Sequence, residues 1–357
     1  MTRIPVTILT GFLGAGKTTL LNTILHAEHG LKVAVLVNDF GAINIDSQLV
    51  VDVDEATDTV SLQNGCICCT IRGDLIAALL RLIERADPPE YIIIEASGVS
   101  DPLEISLTFR QPELQDRIQV DAILTVVDAE QIHTLERANE TLAVLQVGAA
   151  DIVVINKVDL VTPEVLEKLR KWVRSIIPRA RILETTYGQV PLELILGVGQ
   201  FDAARLLDRG ATDIHVHEVG AAPAHEHHHD ADHVHTDHSL VFSTWNWVSG
   251  APLSMKALKR AVEKLPTEIY RAKGTLYLAD DPEHMHVLQV VGKRANLNVE
   301  RAWNNQAPRT QIVVIGAHNA LDTEALQALF DGCLAENAPR NEVERVTRTV
   351  MSWLRGR

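Results

Sequence analysis

The chain has 357 residues, 46% of them apolar and 22% charged, and carries a net charge of −14 at neutral pH. That length suggests two domains rather than one core. The acidic balance argues against a general nucleic-acid binder, and no apolar run nears the length of a membrane span.

An apolar, β-branched run, Ile4 to Thr10, follows almost directly on Met1, so no signal peptide and a cytoplasmic location are expected. Gly11-Phe12-Leu13-Gly14-Ala15-Gly16-Lys17-Thr18-Thr19 follows, then a helical pattern through Leu20, Leu21, Ile24 and Leu25. A glycine-rich loop between strand and helix, ending in Gly-Lys-Thr, is a phosphate loop. Its glycines let backbone N–H groups close on phosphate oxygens, and the helix N-terminus adds its dipole. Lys17 is expected on the β- and γ-phosphates, with the Thr18 hydroxyl on Mg²⁺.

A second strand, 33–37, leads into Asn38-Asp39-Phe40-Gly41, with Asp46 nearby. Its place suggests a switch segment that senses γ-phosphate or metal, with Asp39 as its carboxylate; a plain loop cap is the alternative. Asn64-Gly65-Cys66-Ile67-Cys68-Cys69-Thr70 comes next, and a helical pattern starts near Arg72 to Asp74. Thiols near a helix N-terminus are biased towards thiolate, which suits Zn²⁺ and softer metals. Three thiolates leave a fourth position for water, Asp39, a histidine or an incoming protein. Buried structural cysteines and a redox pair are the other readings.

The strand 91–95 ends in Glu95, followed by Ala96-Ser97-Gly98. A carboxylate ending a buried strand suits the magnesium side of a nucleotide site or the placement of water, and Gly98 would let backbone approach the γ-phosphate. After a strand at 121–127, the run 151–155 ends in Asn156-Lys157-Val158-Asp159. A carboxylate at Asp159 can accept from both N–H donors on the guanine edge, which adenine lacks, so GTP is favoured over ATP. Lys157 would cover the base plane and Asn156 would brace the loop. After the strand 181–184, Thr185-Thr186-Tyr187-Gly188 could touch the base through its backbone or be an ordinary loop. Helical patterns at 74–85 and 163–177 complete the alternation. Residues 1–210 therefore read as an α/β domain, a mainly parallel sheet with helices on both faces.

Residues 211–238 hold nine of the fifteen histidines, seven of them between His225 and His238. This segment reads as a linker, with metal capture or plain spacing as its role. From 239 to 340, strands at 240–247, 269–278, 285–291 and 311–315 and helices at 254–265 and 323–334 give a small α+β domain. Residues 341–357 read as a helical tail. His284 and His286 share a face of one strand and read as surface residues before a minor site.

Taken together, the Gly11–Thr19 loop, the Cys66–Cys69 cluster, Glu95–Gly98 and Asn156–Asp159 resemble the CobW family of P-loop GTPases, related to the urease and hydrogenase nickel-insertion GTPases. The resemblance covers both domains. It implies GTP and Mg²⁺ at the loop and Zn²⁺, or Co²⁺ with a link to cobalamin assembly, at Cys66, Cys68 and Cys69. It further implies a metallochaperone that hands its metal to a client protein, with a homodimer left open. Family members often carry Glu where Asp39 stands. The rival readings are a nucleotide-regulated metal store built on the histidine run and a phosphate-loop kinase of small molecules.

Overall fold

The computed structural model describes residues 3–26, 31–38, 58–62, 68–135, 137–196, 215–218, 241–303, 306–317 and 320–337, in two compact units. In the first unit seven strands form one sheet: β1 (Ile4–Gly11), β2 (Val33–Asn38), β3 (Asp58–Leu62), β4 (Tyr91–Glu95), β5 (Ile118–Asp128), β6 (Ile152–Asn156) and β7 (Ile182–Thr185). Their order is β3-β2-β4-β1-β5-β6-β7, and every pairing is parallel. All five residues of β4 and of β6 are buried, so both faces of the sheet are covered, as their unbroken Ile and Val runs require.

Among the described residues six helices accompany these strands: α1 (Lys17–Leu25), α2 (Cys68–Ile83), α3 (Pro102–Thr108), α4 (Arg137–Ala149), α5 (Pro163–Ile176) and the single turn α6 (Leu192–Ile195). Leu75, Leu79 and Leu82 of α2 and Ile105 of α3 pack with Ile8, Leu36 and Ile94 in one core cluster. Val147 of α4 and Leu169 and Val173 of α5 pack with Val127 and Ile155 in another. From β1 the chain goes to β2 and β3 on one side, returns to β4 beside β1, and then runs out through β5, β6 and β7 on the other side. The loop after β1 therefore lies where the strand order reverses, the place where parallel sheets bind ligands.

The second unit is an antiparallel sheet with helices. Its strands are β8 (His215–Glu218), β9 (Val241–Ser249), β10 (Ile269–Leu278), β11 (Asp281–Val291), β12 (Arg294–Ala302) and β13 (Thr310–Ala317), in the order β12-β11-β10-β13-β9-β8. Helices α7 (Met255–Lys264) and α8 (Thr323–Asp331) close a core around Trp245, Trp247, Leu276, Val314 and Phe330. Both helices are capped by side chains: Ser254 accepts from the Ala257 N–H and Asp322 from the Ala325 N–H. The Trp247 indole donates to Asp331 at 3.0 Å, so the buried ring keeps its polar handle satisfied.

Four elements differ from the sequence expectation. β8 lies inside the stretch read as a linker and forms the edge strand next to β9. α2 begins at Cys68 rather than near Arg72 to Asp74, because Cys and Thr are weak helix formers whose first turn leaves no periodic trace. β3 and β12, both at sheet edges, were not expected at all. Asp39, Gly41, Asp46, Cys66, the histidines from His225 to His238 and the tail 341–357 lie outside the described residues.

Candidate nucleotide site

The site is built from the carboxyl ends of β1, β4, β5, β6 and β7, which the parallel pairing gathers on one edge. β1 ends at Gly11, and the loop through Gly14, Ala15 and Gly16 delivers the chain into α1. Gly16 holds φ at 99°, a left-handed conformation that favours glycine, and a Cβ there would collide with Asn156 Nδ2. Gly16 supplies no side-chain cap, and no acidic residue occupies the first turn. The first N–H groups of α1 are thus left for an anion.

Lys17 is 6% exposed, and its ammonium reaches the Phe12 carbonyl at 3.5 Å, so its charge is held over the loop. The Thr18 hydroxyl donates to Glu95 Oε1 at 2.8 Å. This bond joins the end of β4 to the start of α1 across 77 residues and sets two oxygen donors side by side in a site where Glu95 is 2% exposed. Oxygen donors of this kind fit Mg²⁺, which favours carboxylate and hydroxyl over nitrogen or sulfur. Thr19 follows on the exposed side of α1.

Gly98 touches the same loop from the β4 side. A Cβ on it would lie 2.7 Å from the Leu13 backbone nitrogen, so only glycine allows this approach. The turn it belongs to closes through the Ser100 N–H on the Ser97 carbonyl at 2.9 Å.

Asn156, at the end of β6 and 2% exposed, ties two loops together. Its Nδ2 donates to the Ala15 carbonyl at 3.0 Å, and its Oδ1 accepts from the Gly188 N–H at 3.1 Å. The phosphate loop and the Thr185–Gly188 loop are therefore held by one carboxamide. Lys157 adopts φ 63°, and its ammonium is 2.6 Å from Asp128 Oδ2. Asp159 follows in a 3₁₀ turn, Val158–Leu160, with an exposed carboxylate that no group of the described residues occupies. Tyr187, 71% exposed at φ 53°, stands in the neighbouring loop.

Two residues of this site went unread in the sequence. Asp128 ends β5 as Glu95 ends β4, the same signal of an acid closing a buried strand. Its Oδ2 holds Lys157, while its Oδ1 accepts from the N–H groups of Glu130 and Gln131 at 2.9 and 3.1 Å. Gln146, inside α4, carried no signal at all. Of the cysteines, Cys68 and Cys69 are the first two residues of α2. The fourth, Cys333, is buried in the second unit, where burial pushes its thiol up to about 11 and keeps it inert.

A profile of the CobW/HypB/UreG nucleotide-binding domain matches residues 5–184, and one of the cobalamin synthesis protein cobW C-terminal domain matches residues 242–334. The zinc chaperone YjiA of Escherichia coli (strain K12) is 34% identical over 342 residues, 93% of this chain and 99% of its own. The zinc chaperone CobW of Sinorhizobium sp is 30% identical over 353 residues, 91% of this chain and 96% of its own. The zinc-regulated GTPase metalloprotein activator 1 of Dictyostelium discoideum is 32% identical over 398 residues, 94% of this chain and 81% of its own. A crystal structure of zinc-bound YjiA GTPase from E. coli aligns with 93% of this chain and 99% of its own, at 26% identity and a TM-score of 0.42.

Proposed function

The chain belongs to the CobW family, in the CobW/HypB/UreG group, and from that membership we propose that it is a GTP-hydrolysing metallochaperone whose cargo is Zn²⁺. The observation that carries the nucleotide half of this reading is the double bond pattern of Asn156, which couples the phosphate loop at Ala15 to the base-side loop at Gly188. A core strand end bracing both loops serves a ligand that spans them, as a nucleotide does.

Guanine is the base that fits. Asp159 offers an exposed carboxylate one turn beyond Lys157, and a carboxylate accepts from the paired donors of guanine. Asp128 fixes the Lys157 ammonium, so the aliphatic stem of Lys157 is available to lie over the base plane. Lys17 and the first N–H groups of α1 meet the charge that builds on the β–γ bridging and γ-phosphate oxygens as the bond to phosphorus breaks. Thr18 and Glu95 would hold Mg²⁺, which when bound neutralises phosphate charge. Glu95, buried at the strand end, also stands where a water could be oriented for attack.

The metal half rests on chemistry and on relatives. Two of the relatives are named zinc chaperones, and one is named a zinc-regulated activator. Cys68 and Cys69 open α2, where first-turn N–H groups favour thiolate over thiol. With Cys66 they would grip Zn²⁺ as cargo and leave one position for the client that receives it. In this scheme GTP orders the Asn38–Asp46 segment and the cysteine segment, and loss of γ-phosphate loosens both.

Phosphate release and zinc titration test the proposal together. The protein should release phosphate from GTP and not from ATP, and Cys66→Ala should weaken Zn²⁺ binding while leaving GDP affinity unchanged. Phosphate appearing on a small-molecule acceptor would replace this reading with a kinase. Retention of tight zinc binding by Cys66→Ala would remove the cysteines from it.

A further inference from the structure

Gln146 lies in the third turn of α4, 1% exposed and far in sequence from any phosphate motif. Its side-chain amide donates to two main-chain carbonyls, Gly98 O and Ser100 O, each at 3.1 Å. Those carbonyls flank the turn that carries the chain from Glu95 to α3. The turn is otherwise closed by the single Ser100 to Ser97 bond and stopped by Asp101, which caps α3 through the Leu103 N–H. One carboxamide therefore uses both of its hydrogens on the segment that leans on the phosphate loop at Leu13.

The bond pattern fixes the orientation of the amide. Two acceptors face it, so the nitrogen must point to them, and the flipped amide would set oxygen against oxygen. Its own oxygen, Oε1, is buried with no partner among the described residues. A buried acceptor left unpaired is costly, so the position is held for what the nitrogen does. α4 is itself anchored beside the site: the Thr125 hydroxyl of β5 donates to the Gln146 backbone carbonyl at 2.9 Å. Gln146 also stands in the wall of a cleft shared with Phe12 and Leu13 of the phosphate loop and with Asp128.

Because a peptide unit is planar and trans, holding the Gly98 carbonyl also points the Val99 N–H the opposite way within that plane. Grip on the two carbonyls thus sets the direction of the N–H groups in the turn that follows Glu95. We propose that Gln146 is a positioning residue for GTP hydrolysis: without touching nucleotide, it holds the Gly98–Ser100 turn in the arrangement that registers the γ-phosphate. This rests on the reading of the site as a GTPase. Neither Glu nor Met can substitute. Glu at this position presents acceptors to two carbonyls, and Met presents none of the donors.

The test compares wild type with Gln146→Met and Gln146→Glu for kcat, KM and direct binding of GDP and of a non-hydrolysable GTP analogue. The expected result is a fall in kcat of about tenfold, with a smaller loss of analogue affinity, and GDP affinity at the wild-type level. Gln146→Asn, which keeps the amide but is one methylene short, should fall between wild type and these variants and serves if the others fold poorly. Unchanged kcat in all three variants overturns the proposal, and so does a parallel loss of GDP affinity and kcat, the mark of general damage to the fold. Absence of GTP turnover in the wild type would instead reject the GTPase reading.

Discussion

The two sheets of this molecule put their polar residues to different use. In the parallel sheet every strand ends on the same edge, so Lys17, Glu95, Asp128 and Asn156 come from separate parts of the chain and meet. In the antiparallel sheet strand ends alternate, so no single edge gathers them, and on β11 polar side chains settle with near neighbours in sequence. Asp281 bonds His284 at 2.8 Å and His286 at 3.1 Å, all on β11. A parallel sheet collects side chains into a site, whereas an antiparallel one spreads its strand ends over two edges.

Substitutions can break this contrast. Lys17→Ala should have the largest effect, lowering kcat for GTP about 10³-fold, because no other group of the loop replaces its buried charge. Single-turnover phosphate release measures it. Asp159→Ala should weaken GTP binding about a hundredfold by leaving two base donors without an acceptor, and should not strengthen ATP. Fluorescent-nucleotide titration would show it. Asp128→Asn should cost about tenfold in guanine nucleotide affinity, since it frees Lys157 from its charged partner.

In the second unit the same kind of change should act on stability alone. Ser254→Ala removes the cap of α7 and should destabilise that unit by about 1 kcal/mol with GTP turnover at the wild-type level. The smallest effect concerns pH. The hydrogen bond to Asp281 raises the His284 pKa above its ordinary 6.5, and His284 first and His286 second lower that of Asp281 below its ordinary 3.8. The His284 contribution is therefore complete below its ordinary pKa and fades as pH rises through the raised one. The Asp281 contribution is present above its ordinary value and fades as pH falls through the lowered one. Tm of His284→Ala should differ from wild type most near pH 5 and least near pH 9, values about the ordinary histidine pKa.

Much of this was legible in the residues. The buried strands were, because Ile92 to Ile94 and Ile152 to Ile155 have no polar position to place in water. So were the places of Lys17 and Thr18 at the start of α1 and of Glu95 and Asn156 at strand ends. The edge strands β3, Asp-Thr-Val-Ser-Leu, and β12, Arg294 to Ala302, were not, because edge strands are half solvated and mix polar residues freely. Gln146 could not be read either: its role is set by two carbonyls 48 and 46 residues away, and nothing local marks a glutamine inside a helix.

The most direct measurement is the affinity of Zn²⁺ for the protein loaded with a non-hydrolysable GTP analogue against the protein loaded with GDP. Tighter binding in the analogue state, lost in Cys66→Ala, is the predicted result. Equal affinities in the two states would contradict the coupling of nucleotide to metal.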